Sequence, residues 1–194
     1  KIVAGTNHFI ALTQDGKVYG WGYNGSGELG QNNTDMYKRP IYLGIDNAID
    51  VATGCQSTAV LKKDGTVWSW GRNNYGQYGD GTAVSKEDLT PSQMVKVSNV
   101  MQIASGNIHT AVLTAEGKVW AVGSNTSSQL GFTYNNKENV YTPREMQAIS
   151  EVKEITSGAY NTIMLQNNGY ACGVGENGDG QLGTGGAATI TPPM

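Results

Sequence analysis

Two cysteines and two histidines are all that 194 residues carry. That scarcity leaves no disulfide framework and no cluster of sulfur and nitrogen ligands at metal-site spacing. Charge is sparse as well, at 15% of residues, and 13 Lys plus Arg against 16 Asp plus Glu give a formal net charge of -3. A chain this short of basic residues has no broad counterion-releasing face, so no nucleic-acid partner is expected. No apolar run approaches the roughly 20 residues of a membrane-spanning helix, and no span is expected. The opening KIVAGTNHFIALT does not follow a secretory-leader pattern. With 38% hydrophobic residues, the composition is that of a globular chain with a substantial core. Glycine is what the chain has in excess, at 27 residues. Glycine mixed with Asn and short β-type runs points to a turn-dense all-β protein.

The stretch YNGSGELG, residues 23–30, contains Gly25-x-Gly27-x-x-Gly30, the spelling of a dinucleotide-binding loop. Internal periodicity decides how to read it. Hairpin-type pairs recur at Asp15-Gly16, Asp64-Gly65, Glu116-Gly117 and Asn168-Gly169, their glycines 49, 52 and 52 residues apart. Gly5, Gly54, Gly106 and Gly158 precede those glycines by 11 residues; Gly22, Gly71, Gly123 and Gly175 follow by 6, and Gly30, Gly79, Gly131 and Gly183 by 14. A rigid block of 26 residues therefore occurs four times, at 5–30, 54–79, 106–131 and 158–183, inside a single repeat domain of residues 1–194. GSGELG recurs as NYGQYG, TSSQLG and GDGQLG, and two of the four copies break the nucleotide pattern. Polar loop residues follow each copy, where a phosphate-binding loop would open a helix. The motif is a repeated turn, and no cofactor is expected.

Each block holds a short β-type stretch before its first glycine, an apolar run (FIALT, TAVLK, TAVLT, TIMLQ), a hairpin and a third strand (KVYGWG, TVWSWG, KVWAVG, YACGVG). One position of the third strand is always small, at Gly20, Ser69, Ala121 and Gly173, which suggests close approach of another sheet. A fourth strand is expected after each Arg/Thr-Pro, near 41–43, 94–97 and 145–148; the last copy ends before one. Four strands per repeat of about 50 residues is the pattern of a β-propeller blade. The Pro-to-Gly connectors span 14, 15 and 15 residues, whereas joining Pro192 through Met194 to Gly5 would leave 7, one strand short. These four antiparallel blades are thus expected to form an arc of a larger propeller, with self-association possible if the same chain does not close the ring.

VATGCQSTAVLKKDGTVWSWGRNNYGQYG and IASGNIHTAVLTAEGKVWAVGSNTSSQLG resemble the regulator of chromosome condensation repeat. The resemblance runs through all four copies and implies a propeller, in that family usually of seven blades. The family includes an exchange factor for the nuclear GTPase Ran, a secreted inhibitor of β-lactamase and plant light sensors. Cys172 departs from the aromatic that Tyr19, Trp68 and Trp120 supply, and no complete connector is long enough for an obvious exchange-factor wedge.

His8 and His109 share one repeat position with Ser57 and Asn161, which suits a structural hydrogen bond securing a blade, a role the resemblance also implies. Asn24, Asn73, Asn125 and Asn177 recur at another, suiting turn bonding, and Gly22, Gly71, Gly123 and Gly175 complete the structural set. GENGDGQLG lacks acidic ligands at both ends of a calcium loop, so no metal is expected. No acid–base constellation stands out, and a non-enzymatic role is expected. The variable connectors carry Tyr37, Tyr42, Phe132, Tyr134 and Tyr141, candidate anchors for a protein partner on rim loops. The expected function is a protein–protein interaction module; a GTPase exchange factor or an inhibitor of a secreted enzyme are the alternatives. Abundant Lys, Asn and Tyr suggest an A/T-rich bacterial genome, with an extracellular or cell-surface location expected ahead of a cytoplasmic one.

Overall fold

The computed structural model describes residues 1–83, 89–132, 137–147 and 149–185. They form an all-β protein of four antiparallel sheets. The first contains β1 (Ile2–Ala4), β2 (His8–Leu12), β3 (Val18–Gly22) and β4 (Tyr37–Tyr42), in that order. The second contains β5 (Ala48–Thr53), β6 (Ser57–Lys62), β7 (Val67–Gly71) and β8 (Ser92–Gln93). The third contains β9 (Val100–Ser105), β10 (His109–Thr114), β11 (Val119–Gly123) and β12 (Val140–Glu145). The fourth, among the described residues, has β13 (Val152–Ser157), β14 (Asn161–Gln166) and β15 (Ala171–Gly175). Each sheet is a meander of adjacent strands, the topology of a propeller blade.

The register repeats with the sequence. His8 lies opposite Gly22, Ser57 opposite Gly71, His109 opposite Gly123 and Asn161 opposite Gly175. The hairpins between second and third strands are type I turns closed by a left-handed glycine, with Gly16, Gly65, Gly117 and Gly169 at φ 81°, 79°, 72° and 90°. A side chain there would be strained, and this alone explains the glycine at that position in every copy.

The fourth strands begin earlier than the sequence reading places them, and Pro40 and Pro143 lie inside β4 and β12. These are edge strands, where a residue without N–H costs no ladder bond on the solvent side. The small residue of the third strand also has a different cause from the one expected. A Cβ at Gly20 would lie 2.8 Å from Leu29 and 3.1 Å from Ile10, and one at Gly173 would lie 2.7 Å from Ile163 and 2.9 Å from Leu182. The close neighbours are the blade's own loop leucine and second-strand isoleucine.

Blades pack in chain order, β5 against β1 and β2, β9 against β5 and β6, β13 against β9 and β10. Ile10, Val18, Leu29, Val51, Val60 and Trp70 form the core between the first two blades. Leu61, Ile103, Val112, Leu130, Ile155 and Met164 belong to a second cluster running through the remaining joints. Fully burying each large side chain of this kind contributes about 2 kcal/mol. The four inner strands β1, β5, β9 and β13 line a common central groove.

Candidate functional site

The loop after each third strand is built by two polar side chains. Asn24 Oδ1 accepts from Leu29 N at 2.8 Å, and the same bond joins Asn73 to Tyr78 (3.0 Å), Asn125 to Leu130 (3.1 Å) and Asn177 to Leu182 (2.8 Å). Two residues before the last glycine, Glu28, Gln77, Gln129 and Gln181 accept from the backbone N–H of Ser26, Tyr75, Ser127 and Asp179. Between these staples, Leu29, Tyr78, Leu130 and Leu182 are driven into the core. Tyr78 alone carries a hydroxyl there and donates it to the Gly71 carbonyl; burial raises its pKa. Two consecutive reverse turns, Gly27 N to Asn24 O and Gly30 N to Gly27 O, replace the helix that a phosphate-binding loop would need.

The loops also join the blades. Thr58 Oγ1 donates to the Glu28 carbonyl at 2.8 Å, Thr110 to that of Gln77 at 2.9 Å and Thr162 to that of Gln129 at 3.0 Å. With the threonine proton committed, its oxygen accepts from the preceding blade's histidine: His8 Nε2 lies 3.1 Å from Thr58 and His109 Nε2 3.0 Å from Thr162. Both imidazoles are buried, and neither Nδ1 has a partner. Desolvation lowers both pKa values to about 4, against a smaller opposing effect of the backbone at Ser57 and Asn161. The histidines thus act across a joint, in the neutral form.

Closer to the axis, Asp50 accepts from Ile103 N at 3.2 Å and Gln102 from Ile155 N at 2.9 Å, each reaching into the next blade. At the end of the groove the backbone itself bridges the joints. Thr6 N donates to Cys55 O at 3.3 Å, Cys55 N to Asn107 O at 3.2 Å and Asn107 N to Ala159 O at 2.9 Å. This approach is possible only because the preceding residue is glycine. A Cβ at Gly54 would stand 2.8 Å from the Gly106 carbonyl oxygen, and one at Gly106 2.6 Å from that of Gly158.

At this end of the blades the rim consists of paired variable residues on a repeated backbone. Tyr23 N donates to Asn7 O (2.8 Å), Arg72 N to Gln56 O (2.8 Å), Ser124 N to Ile108 O (2.9 Å) and Glu176 N to Tyr160 O (2.9 Å). Gly22, Gly71, Gly123 and Gly175 make the pairing possible, since a Cβ at any of them would lie within 2.6 Å of the facing carbonyl oxygen. Asn7, Tyr23, Tyr160 and Glu176 are exposed; Gln56, Arg72 and Ile108 are half-buried; Ser124 is buried. Arg72 is further fixed by a 2.9 Å bond to Gln56 Oε1.

The RCC1-like domain matches residues 1–194. The chain belongs to the RCC1-like domain family. It is 29% identical over 192 residues to the ultraviolet-B receptor UVR8 of Arabidopsis thaliana, an alignment covering 95% of this chain and 43% of that receptor. Human WBSCR16 superimposes with a TM-score of 0.88 at 27% identity, covering all of this chain and 52% of the other. Prp20p of Saccharomyces cerevisiae superimposes with a TM-score of 0.86 at 20% identity, over 100% of this chain and 49% of the other, which establishes likeness of fold. This RCC1-like chain thus spans about half the length of each of these three proteins.

The connector aromatics do not converge. Tyr37 and Phe132 are partly buried and pack against the two core clusters. Tyr37 is also held through its hydroxyl by Asn33 Nδ2 at 3.0 Å. Tyr42 is exposed, but its ring pairs with Tyr19 at 5.6 Å on the outer face of the first sheet. Tyr141 is exposed and sits over Gly76 of the preceding blade's loop. Tyr134 lies outside the described residues. Tyr37 and Phe132 are thus engaged in packing, whereas Tyr42 and Tyr141 remain exposed. The rim pairs were missed because each stands alone beside an invariant glycine, within blocks that read as scaffold; their disagreement between repeats was the available signal. Among the described residues no group of three or more His, Cys, Asp or Glu could hold a metal ion.

Proposed function

We propose that this RCC1-like chain is a non-enzymatic protein-binding module that presents Asn7, Tyr23, Gln56, Arg72, Tyr160 and Glu176 to a partner along the rim. The observation that carries the reading is the pairing of variable side chains by an invariant backbone bond in successive blades. A backbone already fixed before association loses little ordering entropy on binding, and Tyr and Arg are favoured anchors. The description of the Prp20p structure names binding to Gsp1p and histones, which supports a protein as the partner class for this fold.

Photo-cross-linking residues placed singly at Tyr23 and Tyr160, and at Lys63 and Tyr170 on the opposite rim, test the reading in extracts of the source cells. Recovery of the same protein from the first two positions and not from the second two is expected. Recovery only from Lys63 and Tyr170 would move the site to the hairpin rim and overturn the assignment. If the captured protein is a small GTPase, acceleration of labelled GDP release separates an exchange factor from a passive binder; if it is a secreted enzyme, loss of its activity identifies an inhibitor.

A further inference from the structure

Three Asn-Gly pairs occur in the chain, at Asn24-Gly25, Asn168-Gly169 and Asn177-Gly178. This dipeptide is the one most open to spontaneous amide loss, because glycine offers its backbone nitrogen without a side chain in the way. The nitrogen of the glycine loses its proton and attacks the Asn Cγ, forming a new C–N bond. The Cγ–Nδ2 bond breaks and ammonia leaves. Water then opens the five-membered imide at either carbonyl, giving aspartate or isoaspartate. The only co-reactant is water.

The fold treats the three pairs differently. Asn24 and Asn177 are 0% and 2% exposed. Each is held at both ends of its amide: Asn24 by Leu29 N and Asn33 O, both at 2.8 Å, and Asn177 by Leu182 N at 2.8 Å and Thr184 Oγ1 at 3.0 Å. Bringing Cγ onto the following nitrogen would break both bonds and release the loop leucine. Asn168 is exposed at the tip of the β14–β15 hairpin. Its Oδ1 accepts one bond, from Tyr170 N at 3.0 Å, which withdraws electron density from the carbon to be attacked. Gly169 N is itself bonded to Gln166 O at 3.0 Å, a restraint that slows the reaction relative to an unfolded chain without preventing it.

We infer that Asn168 is a site of spontaneous deamidation, and that the loop staples protect Asn24 and Asn177 from the same reaction. The aspartyl product fits the hairpin. Asp15 and Asp64 already occupy this position in the first two blades, and Asp64 Oδ1 accepts from Thr66 N at 3.0 Å as Asn168 does from Tyr170 N. The isoaspartyl product adds a methylene to the backbone beside the Leu165–Ala171 pair and loosens the turn. Either product adds a negative charge to the hairpin rim, close to Glu151, whose carbonyl accepts from Asn167 N at 2.8 Å.

The test is peptide mapping by mass spectrometry after prolonged incubation of the intact chain at mildly alkaline pH and physiological temperature. A parallel sample is unfolded in urea. In the folded chain the acid form accumulates at Asn168, faster than at Asn24 or Asn177 by on the order of tenfold or more, the penalty for breaking two buried hydrogen bonds. In urea all three sites convert. Retention of Asn168 in the folded chain as complete as that of Asn24 and Asn177, or conversion of the buried pair first, overturns the inference. Asn168→Asp supplies the aspartyl product directly, and its unfolding midpoint matches that of the parent; a large loss would contradict the claim that the hairpin accepts aspartate.

Discussion

Glu28 stands where the other repeats have Gln77, Gln129 and Gln181, and the exchange leaves a carboxyl buried without a cation. One oxygen takes the Ser26 N–H as the glutamines take theirs, while Oε1 has no partner. Desolvation raises its pKa above the usual 4.5, with the backbone bonds opposing it. The folded chain therefore holds this proton more tightly than the unfolded chain. Stability from the neutral form is complete below about pH 4.5 and is lost as pH rises through the folded value. Glu28→Gln removes that loss. Its expected effect is a gain on the order of 1 kcal/mol near neutral pH, fading in acid, read from urea unfolding at several pH values. A variant no more stable than the parent at neutral pH would show that the buried carboxylate costs nothing.

At the scale of the elements, the unit of construction is the joint between blades. Joints one and three carry a histidine clasp; the middle joint has Ser57 in that place and, of the two clasp bonds, retains the one from Thr110 to the loop carbonyl. Since His8 and His109 have folded pKa values of about 4 against 6.5 unfolded, the unfolded chain takes up their protons first as pH falls. Their contribution is complete above 6.5 and lost between there and about 4. The full loss is about 3 kcal/mol for each histidine. His8→Ser with His109→Ser, the residue the middle joint already accepts, is expected to lower stability modestly at neutral pH and to flatten this acid-side decline. An unchanged pH profile in the double variant would place the acid sensitivity elsewhere.

Much of this was legible in the sequence, for a physical reason: glycine and asparagine were retained wherever the backbone needed left-handed φ, close approach or a capped N–H. Those positions gave the blade, its three inner strands and its hairpins directly. The fourth strand was misplaced because proline reads as a strand breaker, and an edge strand tolerates it. The direction of the histidine contacts was not legible, since their partners Thr58 and Thr162 lie 50 and 53 residues away and pair only when blades stack. The rim proposed for binding stayed hidden for another reason. Its side chains vary while the bond that fixes them is made by backbone, which leaves a preference for the adjacent glycine and none for the paired residues themselves.

Across the whole molecule, the same few contacts hold the blades together and fix the rim proposed for binding. Loop staples place a carbonyl for the next blade's threonine, glycine allows the inner turns to touch, and the backbone ladder at the end of the groove ties successive blades into one surface. The central claim is that this rim is rigid before any partner arrives. Native-state hydrogen exchange at Cys55 N and Asn107 N, the donors of that ladder, tests it most directly. The account predicts that both amides exchange only through cooperative unfolding of the packed blades, with opening free energies within about 1 kcal/mol of the global value. Exchange at the rate of an exposed loop would mean that the blades part at the rim in the native state, and that the proposed binding surface is assembled by its partner.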